Sequence, residues 1–380
     1  MARTFLKLLI PVLLLVSCGE PETPPQTGGL ACAPYDFAQI DGWKNDDLQD
    51  AFHAFELTCA RLKDSKSEFL GDAEIKIRTA DFLEICRRRP AEAAAFKQFV
   101  EDNFRPCLVS FDGAADGKFT SYYEAEIKAS TVRSEKYNIP IYGRPNDLIE
   151  FNPRDFDKSL PAKRLVGRVE NNRLVPYFER AEIVGNGIDA PVILWGDSYV
   201  DIYVMQIQGS AVAELEDGSK VRIGFADTNG REFRGIGSIL LENKVIRPGQ
   251  ASMGKIKKWL KANPRTAQKY LDQNQRYVFH RLSDAEGPLG ALGVPLTAGR
   301  SLAVDKKYIP LGALLWLETT GPNHEKIEKL VIAQDIGGAI KGAVRGDYFW
   351  GSGGDEVLEL AGKMHAKGRY FVLLPKTKGE

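Results

Sequence analysis

Residues 333–342 read Ala333-Gln334-Asp335-Ile336-Gly337-Gly338-Ala339-Ile340-Lys341-Gly342, and residues 345–354 read Arg345-Gly346-Asp347-Tyr348-Phe349-Trp350-Gly351-Ser352-Gly353-Gly354. The β-rich run 329–334 makes Asp335 the end of a strand that leads into a glycine pair. Glycines there let backbone or a ligand approach closely. Asp347 stands in a second glycine-rich turn beside three consecutive aromatics, and Asp305 ends the strand carrying Leu302-Ala303-Val304. Three aspartates at strand ends and turns predict one polar cluster at the mouth of a barrel. A carboxyl among carboxylates and aromatic rings has its pKa raised, which suits a general acid at neutral pH. Aromatic faces suit the C–H faces of sugar rings. An aspartate at a strand end is also a simple turn former through local hydrogen bonds. Residue chemistry alone therefore leaves Asp347 with two readings.

Outward from this stretch, strands are predicted at 301–305, 313–318 and 369–374. A helix is predicted to start at Asp355 and end at Gly368. Ser252 and Pro264 open two further helices. Between about 118 and 225, short β-rich runs alternate with turns: 139–142, 174–177, 192–195, 199–208 and 220–225. That texture reads as a small barrel or sandwich. The N-terminal third starts helical. Leu48, Phe52, Phe55, Cys59 and Leu62 share one face of a helix over 45–62 capped by Asn45 or Asp46, and Pro90 opens another. The order helices, strands, helices, strands predicts an all-β domain, 131–225, inserted into a mixed domain built from 30–130 and 226–380.

The chain has 380 residues, 51 basic and 51 acidic, with 43% hydrophobic and 27% charged residues. This is globular composition, long enough for two domains. Zero formal charge argues against a partner such as nucleic acid, whose polyanion calls for a basic face. The four His (His53, His280, His324, His365) are scattered, and no HxxxH or CxxC is present, so neither a metal site nor a cofactor is expected. No Ser/His/Asp elbow or phosphate loop is found either.

Residues 1–17 combine Arg3 and Lys7 with a short apolar run, as in a secretory signal. The run ends Leu15-Val16-Ser17-Cys18-Gly19, a bacterial lipobox pattern that predicts lipidation of Cys18 and anchoring to a membrane by acyl chains. Gly19 follows Cys18 where an Asp would mark inner-membrane retention, so the expected address is the periplasmic face of the outer membrane. Residues 18–29 are a Pro- and Gly-rich tether. Cys32, Cys59, Cys86 and Cys107 remain, an even number in one N-terminal stretch. Two disulfides fit an oxidising compartment. Three pairings are open, and four buried thiols are the alternative.

Taken in order, the pieces Phe119-Thr120-Ser121-Tyr122-Tyr123-Glu124, Pro140-Ile141-Tyr142-Gly143-Arg144-Pro145, Arg180-Ala181-Glu182-Ile183, Gln208-Gly209-Ser210, 224–230 (GFADTNG), Tyr277-Val278-Phe279, Gly293-Val294-Pro295-Leu296-Thr297, Ile309-Pro310-Leu311-Gly312 and the aspartate stretches resemble the membrane-bound lytic murein transglycosylase A (MltA) family over about 115–375. The last part, 300–372, resembles the 3D domain, whose three aspartates match Asp305, Asp335 and Asp347. The resemblance implies a double-ψ β-barrel interrupted by a smaller β-barrel, with peptidoglycan glycan strands in the groove between them. It implies cleavage of the MurNAc–GlcNAc β-1,4 bond with formation of 1,6-anhydroMurNAc. Asp347 matches the single acid/base, Asp335 its support, and Asp305 a residue behind them. Thr120, Gln208, Gly209 and Ser210 match groove positions, and Tyr122 and Trp350 are candidate stacking platforms, with a place in the core as the alternative for either. Ser121, Ala125 and Ala211 depart from the family pattern in the groove. Cell-wall synthesis or division proteins are further candidate partners. A hydrolase using both Asp335 and Asp347, and a non-catalytic glycan-binding scaffold, are the rival readings.

Overall fold

The computed structural model describes residues 28–248 and 252–376, so the signal segment, Cys18 and nearly all of the tether lie outside the described residues. β1 (Leu30–Pro34) opens the fold and α1 (Gln49–Leu62) follows. The helix starts later than expected. The chain turns through Leu48 at φ 62°, and Asp46 is not its cap. Instead the Asp46 carboxylate is buried and takes a two-pronged ion pair from Arg300, Nη1 to Oδ2 at 2.6 Å and Nη2 to Oδ1 at 2.7 Å. α2 (Thr79–Arg87), which the sequence reading passed over, turns Phe82, Ile85 and Cys86 inward. α3 (Phe96–Asn103) begins well after Pro90, because Pro90 only ends a loop and Ala93–Ala95 form a single 3₁₀ turn first. β2 (Phe104–Phe111) pairs antiparallel with β1. Of the three pairings, the structure has Cys32–Cys107, which staples β1 to β2, and Cys59–Cys86, which staples α1 to α2.

β3 (Gly117–Ser130), β4 (Ile139–Tyr142), β5 (Ile149–Phe151), α4 (Pro153–Phe156), β6 (Leu165–Glu170), β7 (Arg173–Pro176), α5 (Arg180–Asn186) and β8 (Val192–Gly196) come next. The run 199–208, read as a strand, is instead the helix α6 (Tyr199–Gln208). Its residues Val200 and Ile202–Gln206 are buried almost without interruption, so neither a period of two nor of 3.6 shows in the sequence. The decisive signals are its ends: the Ser198 hydroxyl accepts the Asp201 N–H, and Gly209 closes it at φ 93°. β9 (Ala211–Glu214), β10 (Lys220–Thr228), α7 (Ile236–Glu242), α8 (Met253–Ala262), α9 (Pro264–Leu271) and β11 (Val278–Ser283) follow. The C-terminal part holds β12 (Ser301–Val304), β13 (Leu314–Thr320), β14 (Lys326–Asp335), β15 (Arg345–Gly353), α10 (Asp355–Ala361) and β16 (His365–Pro375). α10 ends at Gly362, not Gly368. Gly368 lies inside β16, where an added Cβ would meet the Glu318 carbonyl at 2.5 Å, so it serves strand packing and not helix termination.

Strand pairing explains the mainly β character. β3, β16, β13, β14, β12 and β15 close on one another in a six-membered ring, parallel at β12–β14 and β3–β15 and antiparallel elsewhere. Leu302, Val304, Leu314, Trp316, Val331 and Phe371 fill its apolar core. α1 packs on β14, and its Ala54 carbonyl and Thr58 hydroxyl both accept from the Gln334 side-chain amide at 3.0 Å. The far half of β3 leaves the ring and pairs with β9 and β8. β4, β10 and β11 extend that second region, and β5–β6–β7 form a separate small sheet. The second region thus reaches past residue 225, through β11.

On β11, His280 is fully buried, and both ring nitrogens lack a hydrogen-bond partner among the described residues. Burial pushes its pKa from 6.5 down to about 3. Between these values the unfolded chain binds a proton that the folded one refuses, so stability falls as pH falls from 6.5 toward 3, by about 1.4 kcal/mol per pH unit. His280→Phe is expected to remove this slope. The check is denaturant unfolding at pH 7 and pH 5, where the variant should lose less stability than the parent.

Candidate active site

Sheet register gathers the polar cluster. Ala303 on β12 lies between Asp335 on β14 and Asp347 on β15; Asp347 is opposite Thr120 on β3, and Thr120 is opposite His365 on β16. Asp335, Ala303, Asp347, Thr120 and His365 therefore form one row across five neighbouring strands. The small Ala303 side chain leaves space between the two carboxylates. That space is the floor of a cavity of about 360 Å³. Loop 336–340 forms one side. The wall contributed by the second region includes Arg180, Gln206, Gln208, Gly209, Phe225, Phe233, Asn274 and Arg276.

Thr120 is the hub of the floor. Its hydroxyl donates to Asp347 Oδ1 and accepts from Arg345 Nη2 at 2.7 Å. Asp347 Oδ2 has no hydrogen bond among the described residues. Asp335 is held on both oxygens: the Tyr122 hydroxyl donates to Oδ2 at 2.8 Å and the Ala291 N–H to Oδ1 at 2.9 Å. Burial raises the Asp335 pKa to about 6 in spite of these donors, and the Asp347 charge adds to the rise. Burial also pushes Asp347 above the ordinary carboxylate range, only partly offset by the Thr120 hydroxyl and the charges of Arg345 and Lys118. Two carboxyls whose protons are retained longer than usual thus face one cavity.

The other expected site residues divide. Gln208 lines the cavity with its carbonyl fixed by the Tyr123 N–H at 3.1 Å, which leaves its amide group directed elsewhere. Gly209 lines it as the left-handed end of α6. Ser210 does not line it. Asp305 is buried behind the floor and accepts from the Gly342 N–H at 2.9 Å and the Lys307 N–H at 3.2 Å, fastening the far end of loop 336–342. Trp350 is a correction. It does not line the cavity but wedges between the ring core and the second core, edge-on to Tyr348 at 5.1 Å. Its place in the strand explains this: Asp347 faces the floor, so the odd-numbered side of β15 is the cavity side until the irregularity after Phe349. The exposed aromatic in the cavity is Phe225.

Phe225, Phe233, Arg345, His365 and Arg276 were not singled out from sequence. Arg345 was within reach, since it stands two residues from Asp347 on one strand and so shares its face. His365 and Arg276 reach the site only by long-range pairing. Among the described residues, no group of three or more His, Cys, Asp or Glu is placed to hold a metal ion.

This architecture and this row of residues have relatives. Residues 118–281 match the MltA specific insert domain, and residues 300–374 match the 3D domain. Membrane-bound lytic murein transglycosylase A of Escherichia coli K12 is 30% identical over 271 residues, 69% of this chain and 67% of that protein. The crystal structure of MltA from Neisseria gonorrhoeae (monoclinic form) superposes with a TM-score of 0.78 at 34% identity, covering 92% of this chain and 94% of that one. The membrane-bound lytic murein transglycosylase of Agrobacterium tumefaciens gives 0.79 at 29%, covering 91% and 98%. With both domains matched, and with curated and solved relatives aligned over most of their length, the chain belongs to the membrane-bound lytic murein transglycosylase A family.

Proposed function

We propose that the protein is a lytic transglycosylase that cuts the MurNAc–GlcNAc β-1,4 bond of peptidoglycan with Asp347 as its single acid/base. Protonated Asp347 gives its proton to the glycosidic oxygen as the bond to C1 breaks. The resulting carboxylate then takes the proton of the MurNAc C6 hydroxyl as that oxygen bonds to C1, leaving 1,6-anhydroMurNAc and restoring the acid. No water enters, so no second carboxylate is needed to activate one. The observation that carries the reading is the unengaged Oδ2 of Asp347, on a carboxyl that burial pushes above the ordinary carboxylate range, at the floor of a cavity beside exposed Phe225. Asp335 supports Asp347 through its charge, and Asp305 holds the loop. On this reading the closed ring is the double-ψ barrel, the region that splits off along β3 is the inserted domain, and Cys18 anchors the enzyme by lipid at the periplasmic face of the outer membrane.

A hydrolase is the second reading. Asp335 and Asp347 lie two strand spacings apart, with Ala303 between them, and both face one cavity. The hydrogen bonds on both Asp335 oxygens weigh against it as a base for water. Mass spectrometry of peptidoglycan digested by the chain from Leu30 onward separates the two. Muropeptides lighter by one water than hydrolysis products are expected. Full reducing ends would overturn the transglycosylase in favour of the hydrolase, and binding without products would favour a scaffold.

A further inference from the structure

Arg276 lies between α9 and β11, half-buried, on the cavity wall facing loop 336–340. Its guanidinium comes within 3.9 Å of where a Cβ on Gly338 would sit. The side chain makes no hydrogen bond, ion pair or ring contact among the described residues. The carboxylate that attracts it, Asp227, is already taken: Oδ2 by Arg144 Nε at 2.9 Å, and Oδ1 by Arg164 and by the Thr228 N–H. Its neighbour Arg180 gives its donors to neutral acceptors only, the Gln206 side chain and the Asn274 and Arg276 carbonyls. This wall therefore carries two guanidinium groups that bond no carboxylate, opposite a floor with two carboxylates. Leaving a half-buried cation without a partner is unfavourable unless a ligand supplies one.

We propose that Arg276 binds a carboxylate borne on the 3-O substituent of a muramyl residue, a reading that rests on the peptidoglycan substrate above. Sugar hydroxyl and acetamido groups are neutral and do not call for a cation. A carboxylate on the substituent would be drawn to the wall, where the Arg276 guanidinium has no partner among the described residues. That preference would set how the strand lies in the cavity. The carboxylate has two sources: the lactyl group itself once the peptide is removed, or the peptide stem.

The test is binding to Asp347→Asn protein, which holds substrate without turning it over. Three probes are compared: chitohexaose, amidase-stripped glycan strands, and peptide-bearing strands. Adding Arg276→Gln is expected to weaken binding of carboxylate-bearing strands roughly 10- to 100-fold and leave chitohexaose unchanged, with Arg276→Lys restoring part of the loss. Loss on amidase-stripped strands alone identifies the lactyl carboxylate, loss on peptide-bearing strands alone identifies the stem, and loss on both shows that Arg276 holds either one. Equal loss on all three probes, or no loss on any, overturns the proposal. Failure of the unmutated enzyme to release anhydro products would overturn the proposed reaction instead, and would leave this binding difference intact.

Discussion

Asp347→Asn is expected to lower peptidoglycan turnover by about 10²- to 10⁴-fold, the range for loss of a general acid/base. The loss should fall on kcat, because in the proposed mechanism both proton transfers pass through this carboxyl. Stability should hold or rise. Burial disfavours the charged form of Asp347, so a neutral isostere removes a strained group. A variant that unfolds more readily would instead mark Asp347 as structural. Asp335→Asn should behave differently. Like charges raise each other's pKa, and the Asp347 charge does so for Asp335. If Asp335 supports Asp347 through its charge, as proposed, then without it Asp347 gives up its proton at lower pH. The alkaline fall of activity should then move to lower pH while part of kcat survives. A pH–rate profile that does not move would remove Asp335 from its supporting role.

The second large effect concerns stability. Asp46→Ala is expected to destabilise the fold by about 3–5 kcal/mol, because it strands the buried Arg300 guanidinium. Burial alone would raise the Asp46 pKa, but the Arg300 fork outweighs it, together with the Leu330 N–H, and holds the carboxyl below its ordinary value. Hence the pair also weakens as pH falls below the unfolded carboxylate range. Replacing both partners together, as Asp46→Leu with Arg300→Met, should recover most of the loss, since two apolar side chains leave no lone charge. Urea unfolding of the single and double variants measures both quantities. If Asp46→Ala costs less than about 1 kcal/mol, the pair is no better than a surface contact.

Much of this was legible beforehand because it is local. β-rich runs between turns placed β12, β13 and β14, and Asp335 stood out at the end of its strand, whereas Asp347, expected in a glycine-rich turn, lies inside β15 between Ala303 and Thr120. What escaped depends on partners distant in sequence. Asp46 is a natural cap by residue type, but Arg300 claims it. Tyr199–Gln208 is too uniformly buried to show a period. Trp350 has the chemistry of a sugar platform, yet it lies outside the cavity lining and packs, partly buried, against both cores. Four cysteines in one stretch announced disulfides, but only the folded path joins Cys32 to Cys107 across the first sheet edge.

β3 runs without a break for 14 residues, from the ring into the second region. It donates Thr120 and Tyr122 to the floor, and a few residues later it pairs with β9, just beyond the Gln208 and Gly209 that line the opposite wall. One rail thus carries both jaws. A clamshell hinge along this strand would have to tear ladder bonds on both of its sides, so a polymer enters and leaves most easily by sliding along its own axis. An enzyme built this way reads its substrate as a thread drawn past a fixed tooth.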